Sequence, residues 1–397
     1  MRILIISNLY PPEVFGGYEI LCEQVASALR VRGHDVVVLT TGSPAPGEGP
    51  GILRTLRLEQ PFGREFRSSR WRRKRLGRRN EAVTAVAIEQ VEPDVIFLWS
   101  QRRLTLGPAR AAEASGVPAA WTLNDEYLAG FRAVATNGFL RRGVGALLDR
   151  SWSRRDTIAS LKLDHVTAIS RCVRDRLVKA GVRVENAEVI YQGPPLELFA
   201  RRRRCTHRVR RLLYVGQLHP DKGVHVAVEA VHRLADRHRG LSLTVLGAGN
   251  EVYTRRLRDM ASAGPARIQL LGAVPHREVP EIYRQHDALL FPSIWAEPFG
   301  LTHLEAMASG LPVISTDHGG QGEALEDGVT ALLVPAADVA AMAFAIRRLA
   351  EDPELAARIA EAGHRLVRER LNLGAYVDRL DNWLTGIAGQ PAWRGAA

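Results

Sequence analysis

The chain is poor in cysteine, in lysine and in aromatic residues, and it has no long apolar run. Its three cysteines, Cys22, Cys172 and Cys205, are odd in number and far apart among 397 residues. That spacing excludes a disulfide framework and any C-x-x-C metal site, and it points to the reducing cytosol. No stretch approaches the ~20 consecutive apolar residues that a bilayer-spanning helix needs, so no membrane crossing is expected. The opening MRILIISNLYPPE carries too short an apolar run, and no small-residue cleavage site, for a secretory signal. It reads as a buried strand. The 12 histidines show no H-x-x-H or H-E-x-x-H spacing, so no metal site is expected. Lysine is so scarce, 4 residues against 50 arginines, that each retained lysine invites a reason for not being arginine.

What is present argues for a folded protein of two domains. With 46% hydrophobic and 24% charged residues, global disorder is excluded. At 397 residues the chain exceeds the size at which one hydrophobic core stops growing. The net charge of +11 invites a nucleic-acid reading, but its distribution argues against one. Residues 64–79 alone hold nine basic residues against one acidic, the whole excess of the first half, and 201–211 supply seven more. Two local patches make the protein basic, and no whole face is required to track a phosphate backbone. Segment 64–79 interleaves Phe66, Trp71 and Leu76 with its charges. That pattern suits an anionic membrane surface or an anionic acceptor, and it suits a solvated arginine-rich loop equally well.

Short β-branched runs alternate with longer segments of helical period. Strands are predicted at 2–7, 35–40, 94–99, 119–123, 165–170 and 187–191, and again at 212–216, 241–247, 267–272, 287–292, 311–316 and 331–335. The segment YEILCEQVASALRVRG reads as a helix ending at Gly33. Continuous apolar strands separated by helices imply parallel sheets covered on both faces. Pro194 and Pro195 in YQGPPLELFARRRR interrupt the rhythm and mark a linker. Two doubly wound α/β domains follow, each expected to bind ligands at the carboxyl ends of its strands.

The densest chemical signal is FPSIWAEPFGLTHLEAMASGLPVISTDHGGQGE, residues 291–323. A strand gives way to a loop holding Glu297, and a helix is predicted to start at Phe299 to Leu301 with Glu305 in its second turn. The start of such a helix offers N–H groups to a phosphate. Carboxylates before and within the helix can accept hydrogen bonds from the paired hydroxyls of a sugar or a ribose. Solvated helix charges are the plain alternative, but flanking Pro, Gly and apolar residues argue against it.

EPFGLTHLEAMASGLPVI resembles the E-x7-E signature of retaining glycosyltransferases of the GT-B fold, in particular glycosyltransferase family 4. The resemblance extends over most of the chain through YPPEVFGGYE, GHDVVVLT, DHVTAISRCVRDRL, VIYQGPPLELF, YVGQLHPDKGV, LTVLGAGNE and GGQGEALEDGVTALLVPAAD. It implies two Rossmann-like domains facing a central cleft: 1–195 for the acceptor, 196–374 for a nucleotide-diphosphate sugar, and a helix over 375–397 packing back on the first domain. It further implies a cytoplasmic, metal-independent transferase with retention of configuration. No cofactor is expected beyond the donor substrate, and the acceptor hydroxyl belongs to a glycan, a lipid-linked sugar or a small molecule. Peripheral contact of 64–79 with the inner face of a membrane is part of the same expectation.

Carried over residue by residue, Glu305 matches the ribose-binding carboxylate and Glu297 the one near the transferred sugar. The backbone of Phe299, Gly300 and Leu301 lies against the diphosphate. Lys222 reaches phosphate oxygens as a flexible point charge and is the only lysine after residue 179. Gly16 and Gly17 permit close backbone approach to the sugar diphosphate, and with Gly216 and Gln217 they are assigned to the donor. Glu297, Lys222, Asn124 and Asp125 are the candidate catalytic residues. Departures from the family pattern are informative. Gln217 stands where relatives carry Arg, Asn124 where they often carry His before Asp125, and Gln192 with Gly193 where they carry Asn-Gly. Glu323 matches an acidic position. These departures keep two alternatives open, a nucleotide-sugar hydrolase or epimerase on the same fold and a non-catalytic sugar- or nucleotide-binding protein. GAGNE, residues 247–251, lacks the third glycine of a dinucleotide fingerprint and is read as a strand-to-helix turn.

Overall fold

A computed structural model of the chain describes residues 1–44, 49, 51–62, 70–131, 157–199 and 208–389. The chain divides into two compact units, Met1–Ile190 with Val377–Ala397, and Tyr191–Tyr376. Each is built on one parallel sheet. The first contains β1 (Arg2–Ser7), β2 (Asp35–Thr40), β3 (Ile52–Arg54), β4 (Val95–Ser100), β5 (Ala119–Leu123), β6 (His165–Ala168) and β7 (Glu188–Val189). Their spatial order is β3-β2-β1-β4-β5-β6-β7. The second contains β8 (Arg211–Val215), β9 (Ser242–Leu246), β10 (Arg267–Gly272), β11 (Ala288–Phe291), β12 (Val313–Thr316) and β13 (Leu332–Val334), in the order β10-β9-β8-β11-β12-β13.

The central strands are apolar on both faces because helices cover both. Leu4 pairs with Val37 on one side and Ile96 on the other, and Leu4, Ile5 and Ile6 are fully buried. In the second unit Leu213 pairs with Thr244 and Leu289, and a core of Val224, Val228, Val231, Ile314, Ile346 and Ile359 packs around the sheet. In both sheets the first strand of the unit sits between its second strand and a later one. The crossovers diverge there, and the carboxyl ends of β1 and β4, and of β8 and β11, frame the ligand position of a doubly wound sheet.

The helix Gly17–Val31 ends as predicted at Gly33, where Gly33 N bonds Arg30 O and His34 N bonds Leu29 O. Strand β3 escaped the sequence reading because three residues, Ile52–Arg54, carry no period of their own and depend on pairing with β2. The arginine-rich segment is no loop where it is described. Residues 70–79 open the helix Arg70–Val91, since arginine is a good helix former and Asn80, Thr84, Ala87, Ile88 and Val91 bury one face. Residues 64–69 lie outside the described residues. The last helix, Leu373–Ala388, counts with the first unit from Val377 onward. There Asp378 pairs with Arg32 and Asp381 bonds His34 at 2.8 Å. Among the described residues no helix is long and apolar enough to cross a membrane.

Candidate active site

The second unit's site is built by the loops that follow β8 and β11. After β8 the chain passes Gly216 and Gln217, whose carbonyl accepts a 2.9 Å hydrogen bond from the Tyr214 hydroxyl. It then makes a short turn over Pro220–Lys222. The carbonyl of Asp221 accepts from the N–H groups of Ile294 and Trp295 at 2.8 and 2.9 Å, stitching the β8 loop to the β11 loop. Gly223 makes this approach feasible. It has φ +67, and a Cβ there would lie 1.9 Å from the carbonyl oxygen of Pro292.

That stitching brings Lys222 to Glu297. The ammonium donates to Glu297 Oε1 at 2.6 Å, and Ser293 Oγ donates to the same oxygen at 2.8 Å. Lys222 Nζ also stands 5.1 Å from the centroid of the Trp295 ring. Glu297 is 5% exposed, so its charge is buried but compensated. Its backbone is fixed as well, because its carbonyl accepts from Gly320 N at 2.7 Å. Burial and the nearby Glu297 charge push the Tyr214 phenol well above its ordinary range, so Tyr214 stays neutral.

Glu305 lies on the helix Thr302–Ala308, in its first turn. The helix begins later than predicted because Gly300 has φ +84, a left-handed conformation that no helical residue adopts. The Tyr283 hydroxyl donates to Glu305 Oε2 at 3.0 Å, and His276 Nε2 lies 3.7 Å from Oε1. Its bond to Glu305 raises the His276 pKa against the opposing effect of burial. His303, two residues before Glu305, is fully buried. Neither of its ring nitrogens has a hydrogen-bond partner among the described residues, and burial lowers its pKa to about 3.

The remaining predicted residues belong to the carboxyl edge of the first sheet. Gly16 precedes the helix Gly17–Val31, and its N–H donates to Glu19 Oε2 at 2.8 Å. Asn124 follows β5 and is buried, its amide donating to the Trp99 carbonyl at 2.9 Å. Asp125 accepts from Tyr127 N at 2.9 Å, and desolvation raises its pKa. The structure thus gathers Lys222, Glu297, Phe299–Leu301, Glu305 and the Gly216–Gln217 turn at one end of the second sheet. Gly16, Gly17, Asn124 and Asp125 gather at the corresponding end of the first.

Several participants were missed from sequence. Ser293 follows a strand in FPS, four residues before Glu297, which is a usable signal. Tyr283 and His276 carry none, since they reach Glu305 only through the fold. Trp295 reads in sequence as an ordinary aromatic residue.

Comparison with known proteins agrees with this architecture. Residues 15–198 match Glycosyltransferase Family 4, and residues 203–366 match Glycosyl transferases group 1. The glycogen synthase of Mycobacterium tuberculosis is 31% identical over 94% of this chain and 90% of its own length. The structure of HepE from Anabaena in complex with UDP-glucose superposes with a TM-score of 0.72 at 20% identity, over 97% of this chain and 100% of that one. A glycosyltransferase from Rickettsia africae gives 0.75 at 19%, over 98% and 99% of the two chains. WaaG, a glycosyltransferase involved in lipopolysaccharide biosynthesis, gives 0.66 at 17%, over 97% and 100%. Identity over nearly the whole length to a named enzyme, on two parallel α/β units of the GT-B fold, places the chain in glycosyltransferase family 4, among the group 1 glycosyl transferases.

Proposed function

We propose that this glycosyltransferase takes its sugar from a nucleoside-diphosphate sugar and transfers it, with retention of configuration and without a metal ion, to a hydroxyl acceptor. The observation that carries the reading is the pairing of half-buried Lys222 with buried Glu297, with Glu305 eight residues further on, at the switch point of the second sheet. Glu305, held by Tyr283, accepts the ribose hydroxyls. Glu297 accepts hydroxyls of the transferred sugar. Lys222 and the backbone N–H groups of Phe299, Gly300 and Leu301 stabilise the charge that develops on the departing diphosphate. The anomeric C–O bond breaks with its electron pair going to the diphosphate. The acceptor oxygen bonds to the anomeric carbon on the same face, and the acceptor's proton passes to the leaving phosphate oxygen. The first unit binds the acceptor.

The acceptor class is a glycan, a lipid-linked sugar or a small molecule, and glycogen is the first to test because of the relative's name. The helix Arg70–Val91 extends the proposal to a cytoplasmic enzyme resting on anionic lipid. Arg72, Arg75, Arg78 and Arg79 are exposed on it, and Trp71 is 75% exposed. The test is turnover of UDP-glucose, ADP-glucose and GDP-mannose with and without glycogen and simple sugars. Acceptor-dependent release of nucleoside diphosphate is expected, and NMR of the product should show the donor's own anomeric configuration. Inverted product, or turnover indifferent to every acceptor, would overturn the reading.

A further inference from the structure

We propose that Tyr191 is a positioning residue of the donor site, one that holds both the Glu323 carboxylate and the Phe299 ring next to the backbone carrying Glu297. This rests on the reading of that site as a sugar-donor site.

Tyr191 is the first residue of the second unit. Its backbone surroundings are closely packed. Gln192 is fully buried, and the carbonyl of Pro194 accepts from Leu373 N at 3.0 Å. Gly193 packs so closely that a Cβ would lie 2.1 Å from the Leu371 carbonyl oxygen. On this base the Tyr191 ring stacks nearly parallel on Phe299, with centroids 5.3 Å apart and an interplanar angle of 12°. Phe299 is fully buried two residues after Glu297. The Tyr191 hydroxyl donates to Glu323 Oε2 at 3.0 Å. Glu323 sits on the short turn Gly320–Ala324, whose first N–H bonds the Glu297 carbonyl, while Gly319 bridges Glu297 in parallel-strand fashion.

One side chain therefore touches both segments that hold Glu297, the loop through Phe299 and the turn from Gly319 to Glu323. An apolar residue would fill the space over Phe299 as well as tyrosine does. What the hydroxyl adds is a hydrogen bond to a half-buried carboxylate three residues past the Glu297 contact. A hydrogen bond to a charged acceptor is about twice as strong as a neutral one, so losing it weakens the hold on the Glu323 carboxylate. The expected consequence is selective. The Glu297 side of the site, which serves the sugar, loosens, while Glu305 keeps its separate support from Tyr283.

The experiment compares wild type with Tyr191→Phe, Glu323→Gln and the double variant, using UDP, UDP-glucose, ADP-glucose and GDP-mannose as probes. Binding is read by calorimetry, and KM and kcat by acceptor-dependent release of nucleoside diphosphate. Tyr191→Phe keeps the stack and should fold. It should weaken the intact sugar donor about tenfold and leave the matching bare nucleoside diphosphate within about twofold. Glu323→Gln should do the same, and the double variant should be no worse than either single one. Unchanged donor binding in Tyr191→Phe, equal weakening of nucleotide and donor, or additive single effects would each overturn the proposal. Should wild type bind none of the probes, the donor-site reading itself fails, and that result is distinct from a wild type that binds while the variants match it.

Discussion

Lys222 and Glu297, 75 residues apart in sequence, share a hydrogen bond of 2.6 Å at the carboxyl edge of the second sheet. Each is proposed for a different part of the donor, the lysine for the diphosphate and the glutamate for the sugar, yet they hold each other. The pair compensates a nearly buried carboxylate and keeps the lysine extended over Trp295. A donor that engages both groups replaces one ion pair with two sets of contacts, which favours the intact sugar nucleotide over either fragment.

This relationship makes the two residues separable by mutation. Glu297→Gln releases Lys222 for phosphate, so bare nucleoside diphosphate should bind as tightly as in wild type or more so. The intact donor should lose a charged hydrogen bond worth ~1.5 to 3 kcal/mol, roughly tenfold to a hundredfold. Lys222→Met leaves Glu297 buried without its cation, so it should lower both stability, by about 3 kcal/mol, and affinity for every diphosphate. Calorimetric titration of each variant with UDP and UDP-glucose checks this. Equal losses for both ligands in Glu297→Gln would sink the assignment.

Much of this was legible in sequence, and for a clear reason. The central strands of both sheets are apolar on both faces, so runs such as RILIIS and DALLFP announce themselves without help from neighbours. Glu297, Glu305 and Lys222 stand out because loops rich in Pro and Gly leave few reasons for a buried charge. The supporting groups were not legible. Tyr283 supports Glu305 across 22 residues of chain and Tyr191 supports Glu323 across 132, and no local spacing encodes a contact of that range. The start of the Glu305 helix was misplaced because Gly300 looks like a helix-start glycine in sequence, whereas its left-handed backbone delays the helix to Thr302.

His276 gives the site a pH dependence. Its folded-state pKa is raised by Glu305, so the folded protein holds the proton more tightly than the unfolded chain does. The stabilisation is fully present below the unfolded value of about 6.5 and is lost as pH rises through the higher folded value. Thermal denaturation of wild type and His276→Gln should therefore differ most below the unfolded value of about 6.5 and converge as pH rises through the higher folded value. A constant difference across that range would remove the ion pair from the account.

His303 titrates in the opposite sense. With a folded pKa of about 3, it stays neutral in the native protein while the unfolded chain takes up a proton below about 6.5. Stability is therefore lost as pH falls through that window. His303→Leu removes both this liability and a buried polar ring with no partner among the described residues. It should hold or raise stability at neutral pH, by up to ~1 to 3 kcal/mol, and flatten the acid limb of the melting profile. Strong destabilisation would show that the ring nitrogens have a partner that leucine cannot replace.

Metal independence is tested directly. Among the described residues no three His, Cys, Asp or Glu side chains group as metal ligands, and the charge on the leaving diphosphate is assigned to Lys222. Transfer by enzyme dialysed against excess chelator should proceed at the untreated rate. Abolition by chelator, with recovery on adding magnesium or manganese, would overturn that assignment.

Gln217 offers the finest test of how the diphosphate is held. It is exposed in the turn after β8, where the Tyr214 hydroxyl fixes its carbonyl and so the direction in which its side chain leaves the backbone. A glutamine donates neutral hydrogen bonds where arginine donates two charge-assisted ones, a difference of ~1 to 2 kcal/mol, or about tenfold. Lys222 and the backbone N–H groups remain, so the wild-type enzyme should turn over its donor. Gln217→Arg should tighten nucleoside diphosphate by about tenfold or raise kcat modestly, because the new guanidinium adds to a site already competent. Lys222→Ala should cost far more than Gln217→Arg gains, since it removes a cation held inside the site by the buried Glu297 carboxylate. The measurement is kcat and KM for the donor in all three proteins. A Gln217→Arg effect larger than the Lys222→Ala loss would shift the main charge stabilisation to the β8 turn and away from Lys222.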